Sequence, residues 1–248
     1  MEIEIKNLSK SFGDLKVLDD ISLNVKKNEF ISVIGPSGCG KSTFLNILAG
    51  IESYEGEIIV GGKKVKKPDP SRFVVHQDFK QLLPWKTVYQ NIDFGLMIRD
   101  INEKRSGEII SEVIDVVGLK GFENRYPHEL SGGMQQRVAI ARALVMEPAV
   151  LLMDEPFGSL DSLMRRNLQK ELIKIQQKLP KTIIFITHNV YEAAYLGDKV
   201  VVFSKLPCKI KEVISIDIKR PRNPDKKNFI EIWKHLRELM SMDNNMEV

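Results

Sequence analysis

The chain has 248 residues, of which 43% are hydrophobic and 28% are charged, and these values are ordinary for a soluble globular protein. The net charge of +4 is too small to indicate nucleic acid as a partner, and no apolar run approaches the ~20 residues of a membrane span. The acidic, alternating start does not resemble a secretory signal, and two cysteines argue against a disulfide framework. We therefore expect a protein that stays in the cytosol.

Hydrophobic spacing predicts the elements in chain order. Alternation or continuous apolar runs predict strands at residues 2–6, 17–25, 30–34, 57–63, 73–75, 150–153 and 182–187. Helical spacing predicts helices at residues 44–49, 91–99, 104–117, 133–146, 162–179 and 228–240. Residues 8–13 are predicted to form a turn. The helix between the last two strands makes a β-α-β unit, so we predict one compact α/β unit with a helical insert.

A glycine-rich stretch, Gly35 to Thr43, joins the strand at 30–34 to a helix. Strand, glycine-rich loop, Gly-Lys-Ser and helix are the context that a phosphate-binding loop requires, although a glycine-rich turn can match by accident. The backbone N–H groups of Gly38 to Thr43 can point at a di- or triphosphate, and the helix dipole adds positive potential. Lys41 supplies a mobile charge for the β and γ oxygens, and Ser42 supplies a hydroxyl for Mg²⁺. The sequence predicts a nucleoside-triphosphate site.

Two adjacent acids, Asp154 and Glu155, end the apolar strand at 150–153. This pattern resembles the second nucleotide motif of phosphate-loop ATPases, in which the first acid holds Mg²⁺ through its water shell. The second acid then faces the γ-phosphate and polarises the attacking water. The alternative is a pair of surface acids that ends a strand.

A second anion site is predicted at Ser131-Gly132-Gly133, where a serine and two glycines begin a helix. The alternative is an ordinary N-cap, although a cap alone does not need two glycines, which lower helix stability. If both helix ends bind opposite sides of one nucleotide, two chains must meet head to tail under two-fold symmetry.

Together these motifs resemble the ATP-binding subunit of an ABC transporter over nearly the whole chain. Gly35 to Thr43 matches the Walker A loop, Leu130 to Arg137 the ABC signature, and Val150 to Glu155 the Walker B strand. Ser159-Leu160-Asp161 resembles the D-loop that crosses the dimer interface. The resemblance implies a P-loop NTPase (RecA-like) core with an N-terminal antiparallel β subdomain and a helical insert that carries the signature.

Three further positions resemble functional residues of the same family. Phe12 resembles the aromatic that stacks on adenine, Gln77 the glutamine that joins the Mg²⁺ shell, and His188 the switch histidine on the γ-phosphate. Each has an ordinary alternative: a packing ring, a surface amide and a hydrogen-bonded core histidine, respectively. His76, before Gln77, departs from the aromatic or apolar residue that relatives often carry there.

The resemblance assigns the site as follows. ATP is bound by Phe12, Gly35, Ser37, Gly38, Cys39, Gly40, Lys41, Ser42, Thr43, Ser131, Gly132, Gly133, Gln135 and Asp161. The catalytic residues are Lys41, Gln77, Glu155 and His188, and the Mg²⁺ ligands are Ser42, Gln77 and Asp154. Cys39 itself is predicted to be a small filler of the loop, with reaction toward alkylating agents and protection by ATP as a side hypothesis.

The expected organisation is a single ABC ATPase domain. Residues 1–84 and 147–220 are predicted to form the nucleotide-binding core with its β subdomain, residues 85–146 the helical subdomain, and residues 221–248 a basic segment and an amphipathic helix. The apolar stripe of that last helix is expected to pack on its own domain, with a dimer or membrane contact as the alternative.

Three segments are similar to the nitrate, sulfonate and taurine importer group: Leu82-Leu83-Pro84-Trp85, Asn189 to Asp198 and Lys219 to Asp225. Alternatively, the first of these segments only anchors the helical insert. A vitamin precursor of the thiamine type is an equally compatible solute. The resemblance implies a homodimer in the ATP-bound state, membrane permease subunits, an extracytoplasmic solute-binding protein and a peripheral position on the cytoplasmic face of the membrane.

Two other functions stay open from the sequence. The first is a soluble ABC ATPase that acts on nucleic acid, ribosomes or cluster assembly, although such proteins usually carry two cassettes, a long coiled coil or zinc-binding cysteines. The second is a regulatory ATP-binding protein that hardly hydrolyses, which the presence of Glu155 and His188 disfavours.

Overall fold

The fold is built on two sheets and seven helices in the described part of the chain, which comprises residues 3–76, 82–99, 101–158 and 160–241 of a computed structural model. The strands are β1 Ile3–Phe12, β2 Leu15–Val25, β3 Phe30–Ile34, β4 Glu55–Val60, β5 Lys63–Lys64, β6 Arg72–Val75, β7 Val150–Asp154, β8 Thr182–Ile186, β9 Lys199–Phe203 and β10 Ile210–Ser215. The helices are α1 Lys41–Ala49, α2 Val88–Ile98, α3 Glu103–Val116, α4 Gly132–Val145, α5 Ser162–Lys178, α6 Val190–Leu196 and α7 Lys227–Ser241.

The larger sheet has the order β10-β9-β3-β8-β7-β6, and only β10 is antiparallel to its neighbour. Residues of β8 alternate between two cores, with Ile183 and Phe185 in one and Ile184 and Ile186 in the other. Both faces of the strand are therefore covered, which explains its unbroken apolar run. This sheet is the α/β P-loop core that the sequence predicts.

The smaller sheet is antiparallel, in the order β2-β1-β4-β5, and packs with α1 in the second core. The turn predicted at residues 8–13 is wrong, because β1 continues to Phe12 and only Gly13 and Asp14 form the turn to β2. Asn7 adopts a left-handed φ of 51°, and the register with β2 shifts after Ile5, so the strand is irregular and does not alternate cleanly.

Helices α2, α3 and α4 lie between β6 and β7 in the chain and share the first core with the sheet. Thr87 begins α2 with a capping box to Gln90, and the buried amide of Asn91 donates to the carbonyls of Leu83 and Lys86. The segment before α2 is thereby fastened to the helix. The division of the chain into subdomains at residues 85 and 146 stays a prediction.

The C-terminal helix α7 packs on its own chain, as its stripe predicts. Phe229 and Leu236 are buried in the first core, and the Phe229 ring lies edge-on to Tyr191 of α6, with the ring centres 5.7 Å apart. Among the helices of the described ranges, none has the length and apolar character to cross a membrane.

Candidate functional site

The glycine-rich loop follows β3 and ends at Gly40, which caps α1 with a φ of 108°. A Cβ on Gly40 would lie 2.8 Å from the Cγ1 of Val17, so both the backbone angle and the packing require glycine. The first turn of α1 leaves backbone N–H groups without intrahelical acceptors. The loop therefore presents donors at a helix N-terminus, as anion binding needs.

Lys41 is buried, and its ammonium group folds back onto the loop. Its Nζ donates to the carbonyls of Gly35 and Pro36, at 2.9 and 2.8 Å. Both acceptors are neutral, and no ion pair of Lys41 is found within the described ranges. A buried ammonium with three donors and only neutral acceptors fits a site that receives an anion.

The two described Mg²⁺ ligand candidates lie together. Asp154 ends β7, and its carboxylate accepts a hydrogen bond from the hydroxyl of Ser42 at the start of α1. Burial raises the pKa of Asp154, and the hydrogen bond from Ser42 opposes this effect. No group of three His, Cys, Asp or Glu side chains suited to a metal occurs among the described residues. A hydroxyl and a carboxylate fit Mg²⁺, because this ion commonly takes one or two protein oxygens together with phosphate and water.

Glu155 and His188 form a pair at the same edge of the sheet, because the parallel strands β7 and β8 end there together. The Nδ1 atom of His188 lies 2.8 Å from the Oε2 atom of Glu155. Glu155 adopts a left-handed φ of 44°, and its N–H donates to the carbonyl of Ile186 at 3.0 Å. The imidazole is largely exposed, with 56% of its side-chain surface accessible, so His188 is not a buried core histidine.

Lys41, Ser42 and Glu155 line one cleft of about 370 Å³. Its lining residues are Phe12, Leu15, Val17, Ser37, Gly38, Gly40, Lys41, Ser42, Thr43, Glu155 and Leu206. The ring of Phe12 is 47% exposed at this cleft, which suits a platform for a flat base better than a packing role. Leu15, Val17 and Leu206 are lining residues that the sequence did not identify. Leu206 lies far along the chain with no local signal, whereas Leu15 and Val17 only continue the pattern of a strand.

None of the signature residues lines this cleft. Ser131 caps α4, and its Oγ accepts from the N–H of Met134 at 3.3 Å. The side-chain amide of Gln135 donates to the carbonyls of Pro127 and Leu130, so it holds the preceding turn. Ser131 is exposed and Gly132 is partly exposed, and the helix end is open on that side.

The remaining predicted residues have the following places. Asp161 caps α5 by accepting from the N–H groups of Leu163 and Met164, and it is exposed. Gln77, predicted as a metal and catalytic residue, lies outside the described residues, as does Ser159 of the proposed D-loop. The side chain of Cys39 is buried and does not line the cleft, so only its backbone is available to a nucleotide.

A buried acid behind His188 was not identified from the sequence. Glu192 of α6 accepts from the hydroxyl of Thr187 at 2.6 Å and from the amide of Gln169 at 3.2 Å. Burial raises the pKa of Glu192, and these hydrogen bonds and the nearby guanidinium of Arg165 oppose the rise. The network ties helix α5 to the segment that carries His188.

A larger cleft of about 870 Å³ lies along α3. Its walls mix positive and negative side chains, including Lys104, Glu108, Asp115 and Lys120. It contains none of the phosphate-loop, acid or histidine residues described above. Its size therefore does not make it the nucleotide site.

Comparisons with known proteins agree with this geometry. Residues 18–158 match the protein family described as ABC transporter. An uncharacterized ABC transporter ATP-binding protein of Methanocaldococcus jannaschii is 47% identical, covering 97% of this chain and 91% of that protein. The aliphatic sulfonates import ATP-binding protein SsuB of Bacillus cereus is 44% identical, covering 94% of each. The nitrate import ATP-binding protein NrtC of Synechococcus elongatus is 48% identical over 85% of this chain and 32% of that protein.

Solved structures are similar in fold and in sequence. The structure of cbiO1 from Clostridium perfringens, part of the ABC transporter complex cbiONQ, has a TM-score of 0.81 and 28% identity, covering 99% of this chain and 98% of that one. The dimeric post-hydrolysis structure of the ATP-binding cassette MJ0796 with ADP and phosphate has a TM-score of 0.71 and 29% identity, covering 89% and 99%.

Proposed function

The chain belongs to the ABC transporter family of ATP-hydrolysing subunits, and we propose that two copies bind two ATP molecules between them and close. In each site the loop of one copy binds the phosphates and the Ser131 end of α4 from the other copy completes the cavity. The observation that supports this proposal is that the residues of the second predicted anion site, at the start of α4, do not line the cleft that contains the first. The dimeric form of the cassette MJ0796 supports it.

The residues that line or adjoin the cleft have the following proposed roles. Lys41 leaves the carbonyls of Gly35 and Pro36 and binds the β and γ oxygens. Glu155 accepts a proton from the attacking water while His188, hydrogen-bonded to it, contacts the γ-phosphate. Ser42 and Asp154 would hold Mg²⁺, which would neutralise charge at the phosphates, and Gln77 is proposed to join its shell. Phe12 stacks on the base.

The shared site is tested by the mass of the Glu155→Gln variant in light scattering. The variant should bind ATP without turning it over, and ATP should shift the particle from the monomer mass of 28.3 kDa to twice that value. The matched control adds Lys41→Ala, which removes phosphate binding and should keep the monomer. A variant that is saturated with ATP and still has the monomer mass contradicts the shared site.

We further propose that this ATPase powers an importer through a separate permease at the cytoplasmic face of the membrane, with an extracytoplasmic solute-binding protein as the third component. The full-length similarity to SsuB supports a sulfonate-type solute, and the similarity to NrtC supports nitrate. Tagged Glu155→Gln, incubated with ATP and detergent-solubilised native membranes, would capture the permease. Mass spectrometry would then identify it. A polytopic membrane protein is the expected partner. Ribosomal or DNA-repair proteins, with no membrane protein, would contradict the importer.

A further inference from the structure

The two cysteines of the chain, Cys39 and Cys208, lie together beneath the nucleotide loop. Both side chains are buried in the second core, with 2% and 0% of their surface exposed, and each thiol shifts the pKa of the other. Both are free thiols in the structure.

Strand β2 brings the two cysteine segments together. The N–H of Cys208 donates to the carbonyl of Val17, and the carbonyl of Cys208 accepts from the N–H of Asp19, both at 2.9 Å. Gly40, next to Cys39, packs on the same stretch of β2, because a Cβ added to Gly40 would lie 2.9 Å from the Cδ2 of Leu18. The segments of both cysteines therefore pack on the same residues of β2, Val17 to Asp19.

The two thiols differ in character. The neighbouring Cys208 thiol, together with the Lys41 ammonium and N–H, lowers the pKa of Cys39 to about 7 against the effect of burial. The same contact and burial raise the pKa of Cys208. Cys39 is therefore the better nucleophile of the pair, and Cys208 is placed to attack it in a second step.

We propose that Cys39 and Cys208 are a reversible dithiol–disulfide site that couples ATP binding to the thiol redox state. The oxidant is a low-molecular-weight disulfide. The Cys39 thiolate attacks one sulfur of this disulfide, forms a mixed disulfide and releases one thiol. Cys208 then attacks the Sγ of Cys39 and forms the Cys39–Cys208 bond, and the proton of Cys208 passes to the departing sulfur, which leaves as the second thiol. Two electrons pass from the protein to the reagent.

The bond would join the phosphate loop to the connection between β9 and β10. That connection also supplies Leu206 to the nucleotide cleft, and the loop must rearrange when Lys41 exchanges its two carbonyls for phosphate. A covalent tie restricts this rearrangement, so oxidation weakens ATP binding. Since Cys39 is buried, oxidation requires local opening of the loop, and bound ATP should slow it. The effect on ATP rests on the proposed function, whereas formation of the disulfide does not.

The test exposes the reduced full-length protein to oxidised glutathione and maps its peptides by mass spectrometry. The expected product is a Cys39–Cys208 linked peptide that disappears on reduction. It should form about tenfold more slowly with saturating ATP and Mg²⁺, and the linked protein should bind a fluorescent ATP analogue about tenfold more weakly. The control Cys208→Ala, checked for folding by circular dichroism, should carry glutathione on Cys39 and give no internal link.

The outcomes separate the claims. Absence of the linked peptide after prolonged exposure, in protein whose thiols titrate fully on unfolding, overturns the redox site. A linked protein that binds the analogue as well as the reduced protein overturns the coupling to ATP. Reduced protein that links normally but does not bind the analogue instead overturns the proposed ATP site and leaves the thiol chemistry standing.

Discussion

Replacing Glu155 by Gln should lower turnover by about a hundredfold or more and leave ATP binding intact. Gln has the size of Glu, and its side-chain oxygen can accept a hydrogen bond from the Nδ1 of His188, which lies 2.8 Å from the present carboxylate. The bond from the backbone N–H to Ile186 is unaffected, because it involves main-chain atoms only. The substitution therefore removes a negative charge and a proton acceptor, with little change in shape.

The loss follows from that chemistry. A positioned general base contributes about 10²–10⁴-fold, so turnover should fall by this factor. At about 1.36 kcal/mol per decade, the barrier rises by about 2.7–5.4 kcal/mol. Phosphate release at saturating ATP and Mg²⁺ measures turnover, and a fluorescent analogue measures affinity, which should stay within about twofold because no contact to the nucleotide is removed.

A matched control is available at Glu147. It also has a left-handed backbone, with a φ of 46°, but its carboxylate forms a surface ion pair with Arg99 at 3.0 Å, and it does not line the cleft. Glu147→Gln should keep its turnover within about twofold, because exposed ion pairs contribute little. Turnover of Glu155→Gln within about tenfold of the wild type would refute the role of Glu155 as base.

Three further substitutions have defined outcomes. Ser131→Ala removes the capping hydrogen bond from the N–H of Met134 and should lower the free energy of unfolding by about 1 kcal/mol in urea titrations. Steady-state ATPase activity should fall as well, and unchanged activity would argue against a role of Ser131 in the site. Gly50→Ala places a Cβ against the carbonyl oxygen of Lys67 at a φ of 82°, so the free energy of unfolding should fall by about 2 kcal/mol. Equal stability of the variant and the wild type would contradict this strain. Arg222→Met leaves four backbone carbonyls without their buried donor and should lower the free energy of unfolding by about 3 kcal/mol in the same titration. A loss below about 1 kcal/mol would contradict the role of Arg222 in holding the C-terminal segment.

The sequence predicts the nucleotide loop and its flanking elements because the signals there are local. The apolar run at 30–34 becomes β3, and the helix ends at Gly50, whose left-handed φ of 82° closes α1. The buried strands β7 and β8 are equally visible as continuous apolar runs. In each case a few neighbouring residues determine the structure.

The errors occur where distant residues decide the structure. The segment 8–13 reads as a turn because Lys10 and its serine neighbours look like surface residues. In the fold Lys10 is buried, since its ammonium pairs with Glu52 at 3.2 Å and Ser53 at 3.0 Å. Contacts with residues more than forty positions away therefore stabilise a strand where the local sequence predicts a turn.

Other elements were not identified for similar reasons. Helix α6 has seven residues, too few for a periodic signal, and β10 alternates only between partly buried and exposed positions. The contact between Cys39 and Cys208 depends on how β2 packs against two remote segments, which no local pattern contains. The buried network of Glu192 likewise appears only once α5 and α6 are in contact.

The central claim is that ATP-driven closure of two copies of this chain moves a solute through a separate permease. Its most direct test is uptake into proteoliposomes that contain the captured permease, with this chain and ATP inside and the solute-binding protein with labelled nitrate or an organosulfonate outside. We predict uptake with the wild-type chain and none with Glu155→Gln. Hydrolysis at the same rate with and without the permease, with no uptake of either solute, would contradict the account.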